Sequence, residues 1–184
     1  MSRKKTNSLK AINYNAGNIK WYRRELLAEI SEMNDEVKSE IVRVIRDNPL
    51  AKARVLAMDA NPAQITKQVL DALARKWVDR FINRANPLSR EMVKKTLVAV
   101  DRGLLASARA DNLTIKMQWT KAMTEKVDAI IAENVSLIRS IPEKYFTEVE
   151  GTVYRALARG GDRKALADEI EESFGKRHGI TRRR

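Results

Sequence analysis

Apolar residues recur at every third or fourth position along residues 19–46, and this spacing constrains the fold more than any other feature of the chain. Positions three and four apart lie on one face of an α-helix, so the pattern predicts a long amphipathic helix that packs its apolar stripe against other helices. The Asp47-Asn48-Pro49 run ends the pattern. The predicted stripe consists of Tyr22, Leu26, Ile30, Met33, Val37, Ile41 and Val44.

Similar spacing predicts two further helices after Asn61. Pro62 suits the first turn of the second helix with Asn61 as its N-cap, and Pro87 suits the first turn of the third. Residues 83–87 are predicted to form a turn, so these two helices are expected to pack antiparallel. The stripes predicted for the second and the third helix are Ile65, Val69, Leu73, Trp77 and Phe81, and Val93, Leu97, Val100 and Leu104.

Residues 113–119 alternate between apolar and polar side chains, which is the period of an extended segment. We expect a linker at 113–118, with strand pairing in an assembly as the alternative, because one strand is not stable alone. Helical spacing then predicts three more helices, separated by breaks at 140–143 and at Gly160-Gly161. The inward positions of the fourth and fifth helices are Met123, Val127, Ile131, Val135 and Ile138, and Tyr145, Val149, Val153 and Leu157.

These elements predict an all-α fold of helical hairpins or a bundle with about six helices. The predicted organisation is a basic flexible arm at 1–18, an N-terminal helical region at 19–112, the extended linker at 113–118 and a C-terminal helical region at 119–184. No run of about 18 apolar residues occurs, so no membrane span is expected.

The composition excludes several kinds of site. The chain has no cysteine, so it has neither disulfides nor thiolate metal ligands, and its single histidine is His178. A Ser-His-Asp system is therefore not expected, and acid pairs such as Glu148 with Glu150 are expected to be solvated charges. The sequence predicts that the protein is not an enzyme and uses no metal or other cofactor.

Basic residues exceed acidic ones by 36 to 24, and the excess concentrates at the two ends of the chain. Residues 1–24 carry +7 and the last nine carry +5, while residues 42–112 carry a further +7. Basic ends beside a folded body are typical of proteins that bind nucleic-acid phosphates without sequence preference, although solubility or an acidic protein partner explains them as well. The candidate DNA contacts are Arg3, Lys4, Lys5, Lys10, Lys20, Arg23, Arg24, Lys176, Arg177, Arg182, Arg183 and Arg184.

The three tryptophans fall on or near apolar stripes, so core packing is expected of Trp21, Trp77 and Trp119. Trp21 and Tyr22 lie among basic residues, and they are the better candidates for stacking on bases.

A second interpretation concerns the C-terminal end. Residues 163–184 resemble a helix-turn-helix whose recognition helix begins at Thr181 and carries three arginines. Five residues separate Gly175 from Thr181, whereas the usual turn has about three or four. Despite this long turn, the resemblance gives the alternative function, a nucleic-acid-binding regulator.

The stretch from Glu133 to Tyr145 is similar to the opening of the conserved region of the Mu F-like minor head proteins, the phage head-morphogenesis family. The resemblance extends over about residues 119–184. The family's second half has no counterpart here, so an ordered fragment of a longer protein and a naturally short member are the two alternatives. The three arginines at the start of a further helix suggest the fragment. The positions that carry the resemblance are Asn134, Val135, Leu137, Ile138, Ile141, Pro142, Tyr145, Gly160 and Gly175.

The resemblance implies a virion component with a role in head assembly or in genome packaging and delivery. Members of the family associate with the portal protein and lie inside the head beside the packaged DNA. For this chain the resemblance therefore implies three partners: the portal protein, other capsid or scaffolding proteins, and double-stranded DNA. It also implies several copies in one assembly and a location near the portal, with the host cytoplasm as the site of assembly.

Overall fold

The computed structural model describes residues 15–47, 62–110, 114, 118–159 and 168. Within these ranges the fold is all-α, as predicted, and contains no strand. Its three long helices are α1 (Ala16–Asp47), α2 (Pro62–Ala110) and α3 (Lys121–Arg159). The prediction of about six helices is wrong, because two of the predicted breaks lie inside continuous helices. The predicted sixth helix lies outside the described residues except for Asp168, which is helical.

Helix α1 begins three residues before its predicted start at residue 19. Asn15 caps it, because the backbone N–H of Asn18 donates a hydrogen bond to Asn15 Oδ1 at 3.2 Å. The second half of the predicted stripe is buried and the first half is half-buried. The buried members are Met33, Val37, Ile41 and Val44, and the half-buried members are Tyr22, Leu26 and Ile30.

Helix α2 continues through Pro87, so the turn predicted at 83–87 and the separate third helix are wrong. A proline inside a helix costs about 3 kcal/mol, since it removes one backbone hydrogen bond and crowds the preceding turn. Phe81 and Leu88 are buried on either side of the proline, and burying each such side chain contributes about 1.5–3 kcal/mol. Pro87 itself is exposed, so the packed face of the helix is left intact.

The buried stripe of α2 also differs from the predicted one. Thr66 and Leu70 are buried, whereas Ile65 and Val69 are only half-buried. Repeated steps of four residues drift around a helix of 3.6 residues per turn, so a stripe that stays on one face must mix steps of three and four. The observed stripe does so, through Thr66, Leu70, Leu73, Trp77, Phe81, Ala85 and Leu88. Of the positions predicted beyond it, Val93 is buried, and Leu97, Val100 and Leu104 are half-buried.

Helix α3 continues through Pro142, as α2 does through Pro87, so the break predicted at 140–143 is also wrong. Pro142 is fully buried, and its neighbours on the same face, Ile138, Tyr145 and Phe146, are buried. Thr120 caps the start of α3, because the backbone N–H of Met123 donates to Thr120 Oγ1 at 3.2 Å. The predicted inward positions that are buried are Ile131, Ile138, Tyr145, Val149 and Val153, while Met123, Val127 and Val135 are half-buried.

Two predictions for the connecting segments have limited outcomes. Of the linker predicted at 113–118, only Thr114 and Gln118 are described, and neither is helical. Trp119 follows it and is 47% exposed, so the expectation of core packing is wrong for this residue. Trp77 is fully buried, as expected.

The helices contribute to two compact units. The predicted boundaries at residues 18, 112 and 118 follow sequence composition and stay predictions. The described residues of unit 1 are 15–25, 84–110, 114 and 118–136. Those of unit 2 are 26–47, 62–83, 137–159 and 168.

Candidate nucleic-acid interface

Net charge differs between the described parts of the two units. The described residues of unit 1 include eleven Lys and Arg against six Asp and Glu, a net charge of +5. Those of unit 2 include eleven Lys and Arg against twelve Asp and Glu, a net charge of −1. Among the described residues, those of unit 1 therefore attract a polyanion more strongly than those of unit 2.

In unit 2, carboxylates of α1 pair with cations of α2. Arg80 Nη1 donates to Glu32 Oε1 at 2.7 Å, and Arg80 Nε lies 2.8 Å from Glu29 Oε2. Glu36 accepts hydrogen bonds from Lys76 Nζ and from Trp77 Nε1. The hydrogen bond from Arg80 is the main cause that lowers the pKa of Glu32. Lys76 and Arg80 are therefore already paired with carboxylates of the protein itself.

In unit 1, the first turns of α1 present three of the predicted DNA contacts. Lys20, Arg23 and Arg24 are all exposed. Arg24 lies 3.8 Å from Glu25, whose second oxygen accepts a hydrogen bond from Arg84 at 3.0 Å. Across the described ranges, Lys20 and Arg23 have no carboxylate partner.

Beside these turns lies a groove of about 550 Å³ between the start of α1 and the second half of α2. Three cations line it and only one carboxylate does. Lys95 Nζ is 3.4 Å from Glu91 Oε1, whereas Lys94 and Arg102 have no ion-pair partner among the residues that the structure describes. The lining consists of Asn15, Asn18, Glu91, Lys94, Lys95, Val98, Ala99 and Arg102.

Trp21 lies at the edge of this cation cluster. Its ring is half-buried, and Lys95 Nζ is 4.8 Å from the ring centroid, a distance that gives a favourable cation–π contact. Tyr22 is half-buried next to it, and burial raises the pKa of its hydroxyl. Lys95 therefore occupies one position over the Trp21 ring that the stacking hypothesis assigned to a base.

Only part of the sequence-predicted interface falls within the described residues. Lys20, Arg23 and Arg24 do, and all three belong to unit 1. The helix-turn-helix alternative at 163–184 also lies outside them, apart from Asp168, and stays a prediction. The remaining candidate contacts outside the described residues are Arg3, Lys4, Lys5, Lys10, Lys176, Arg177, Arg182, Arg183 and Arg184.

The groove residues Lys94, Lys95 and Arg102 were missed when candidate contacts were chosen from the basic ends alone. The signal for them was present, because residues 42–112 carry +7. What that charge could not indicate is which cations have carboxylate partners, since the pairing depends on how α1 lies against α2.

The positions that carry the family resemblance divide into buried and exposed ones. Ile138, Pro142 and Tyr145 are buried, and the Tyr145 hydroxyl donates to Asn34 Oδ1 at 3.2 Å within unit 2. Leu137 is 57% exposed, so core packing does not explain it. Asn134 donates to the backbone oxygen of Ile130, and Val135 and Ile141 are half-buried, while Gly160 and Gly175 lie outside the described residues.

No group of three or more Asp, Glu or His side chains lies close enough to hold a metal ion, as far as the described residues go. Across those residues, no helix combines the length and the hydropathy that a membrane span requires.

The chain is 24% identical over 160 residues to an uncharacterized protein of Haemophilus influenzae, an alignment that covers 83% of this chain and 34% of that protein. The chain thus spans about a third of the length of this relative. No family model matches the chain, and no solved structure does.

Proposed function

We propose that the chain is a minor head protein of a tailed bacteriophage, docked at the portal vertex inside the head and contacting packaged DNA through unit 1. The observation that carries the proposal is the segregation of charge, +5 on the described part of unit 1 against −1 on that of unit 2. The proposed role is structural and not enzymatic.

The DNA contact is proposed to be non-specific. Lys20, Arg23 and Arg24 are long, exposed cations on successive turns of one helix, and such groups neutralise phosphates by releasing counterions. Phosphate contacts position a protein on DNA and carry no sequence information. Unrelated duplexes of equal length are therefore expected to bind with equal affinity at each salt concentration.

The portal contact is proposed from the sequence resemblance at Glu133–Tyr145. Ile138, Pro142 and Tyr145 are buried, so they support the packing of unit 2. Leu137 is the exposed apolar member of the same stretch, at 57%, and is the position available to a partner. Partner proteins often bury an exposed apolar side chain of this kind at the centre of an interface.

The test is retention by the portal protein encoded in the same genome. The purified chain is mixed with assembled portal rings, and co-sedimentation is measured for the wild type, Leu137→Gln and Leu27→Gln. Leu27 is the matched control, because it is also an exposed leucine of unit 2, at 40%. We expect the wild type and the control to co-sediment and Leu137→Gln to lose at least tenfold in affinity. A wild-type chain that portal rings never retain would contradict the proposal.

A further inference from the structure

We infer that the groove in unit 1 binds a single nucleotide unit, with its phosphate held by Lys94, Lys95 and Arg102 and its sugar and base over Val98 and Ala99. This inference goes beyond the proposed function, because a base in the groove must be unpaired, and the source of the nucleotide is a single nucleic-acid strand. The groove and its cations, however, are observations independent of the sequence resemblance.

Charge selects the phosphate. Lys94 and Arg102 lie about two turns apart on one face of α2 and have no ion-pair partner among the described residues. Lys95 is shared with Glu91 at 3.4 Å, so the groove has an excess of about two positive charges. Unneutralised cations that converge on one concavity stabilise an anion, and hydrogen bonds to a charged group contribute about 1.5–3 kcal/mol each.

Size and lining select something larger than a phosphate ion. A volume of about 550 Å³ lies within the range of about 300–1,000 Å³ that is usual for small-molecule sites. Val98 and Ala99 give the groove an apolar surface, and Val98 is 41% exposed. An apolar surface next to cations suits the sugar and base that accompany a phosphate in a nucleotide.

One amide donor at the groove has no partner among the described residues. Asn18 Nδ2 is buried and forms no hydrogen bond with the residues that the structure describes. A buried donor without an acceptor costs about 1–3 kcal/mol. A bound nucleotide would supply an acceptor for this amide: a carbonyl oxygen, a ring nitrogen or a phosphate oxygen.

The experiment is a titration of the full chain followed by the ¹H–¹⁵N signal of the Trp21 indole, which Trp21→Phe assigns. Lys95 links this ring to the groove, so occupancy is expected to shift the signal. The probes are AMP, adenosine, a short oligo-dT strand and a duplex of the same length. We expect saturable shifts with AMP and with oligo-dT, and none with adenosine, because adenosine lacks the phosphate. Tighter binding of oligo-dT than of AMP identifies a strand as the source, and equal or tighter binding of AMP identifies the free nucleotide.

The variant Lys94→Gln/Arg102→Gln is expected to weaken AMP binding at least tenfold. The matched control Arg109→Gln/Lys126→Gln removes the same charge from unit 1, outside both the groove and the proposed DNA contacts, and is expected to leave AMP binding within about twofold. Both pairs are exposed, so both variants keep the core. Equal AMP affinity of the groove variant and the wild type would overturn the inference, and so would the absence of saturable AMP and oligo-dT binding. If either of these results is obtained while the wild type still binds the duplex, the groove inference fails and the proposed function stands. If the wild type does not bind the duplex at all, the proposed function is contradicted and the groove inference is not.

Discussion

Replacing Pro87 by alanine is expected to stabilise the protein. Pro87 lies inside α2, where its ring nitrogen has no hydrogen to donate to the backbone oxygen four residues earlier. A proline in a helix interior is about 3 kcal/mol less favourable than alanine. Pro87 is exposed, so the substitution removes no buried contact.

The net increase in the free energy of unfolding is smaller than about 3 kcal/mol, because one opposing effect in the unfolded state must be subtracted. Proline also restricts the unfolded chain, and its loss returns about 0.4–1 kcal/mol of conformational entropy to the unfolded state. The free energy of unfolding of Pro87→Ala should therefore rise by about 2 kcal/mol. For a chain of this length, that corresponds to a melting temperature about 4–8 °C higher.

Thermal unfolding measured by circular dichroism tests this expectation, with Asn83→Ala as the control. Asn83 is exposed one turn earlier in α2, and its replacement improves helix propensity by at most about 0.7 kcal/mol without adding a backbone donor. In Pro87→Ala, the backbone amide gained at position 87 should also be protected from hydrogen exchange. A melting temperature at or below that of the wild type, with a rapidly exchanging new amide, would refute the reasoning that α2 is continuous here.

Three further changes test the packing of single residues. Thr120→Ala removes the cap that receives the Met123 N–H, so stability should fall by about 1 kcal/mol and the first turn of α3 should exchange faster by NMR. Met33→Ala empties a fully buried site and should cost about 2–5 kcal/mol in urea unfolding. Burial and the nearby Asp35 raise the pKa of Tyr145, so the folded state keeps its proton where the unfolded state loses it. The contribution of Tyr145 to the free energy of unfolding is therefore fully present below about pH 10 and falls above it, by up to about 1.4 kcal/mol per pH unit. Tyr145→Phe should remove this part of the pH dependence.

Periodicity was enough to predict the fold class and most of the buried residues, but it was not enough to decide where helices end. Pro87 follows Asn86, and Pro142 follows Ser140-Ile141. Each proline therefore suits the first turn of a new helix as well as an interior position. Whether such a proline starts a helix or lies within one depends on packing either side of it. The buried pairs Phe81 with Leu88 and Ile138 with Tyr145 supply that packing, and their spacing of seven was readable in the sequence.

The candidate site shows a different limit. Lys76 and Arg80 look no different in sequence from Lys94 and Arg102, since all four lie in the basic segment 42–112. In the structure, the first pair contacts carboxylates of α1 and the second pair lines a groove. The acidic run of α1 was visible, but which turn of α2 it faces depends on the register between the two helices, which local patterns do not determine.

The measurement that tests the central claim most directly is the salt dependence of duplex-DNA binding by matched charge variants. One variant is Lys20→Gln/Arg23→Gln/Arg24→Gln in unit 1. The other removes three exposed cations of unit 2, in Arg75→Gln/Arg139→Gln/Lys144→Gln.

Each phosphate contact contributes about −0.9 to the slope of log K against log salt concentration. The account predicts that the slope for the unit 1 variant becomes shallower by about 2–3, whereas the slope for the unit 2 variant stays at the wild-type value. Equal slopes for the two variants would contradict the claim that unit 1 is the face that contacts DNA.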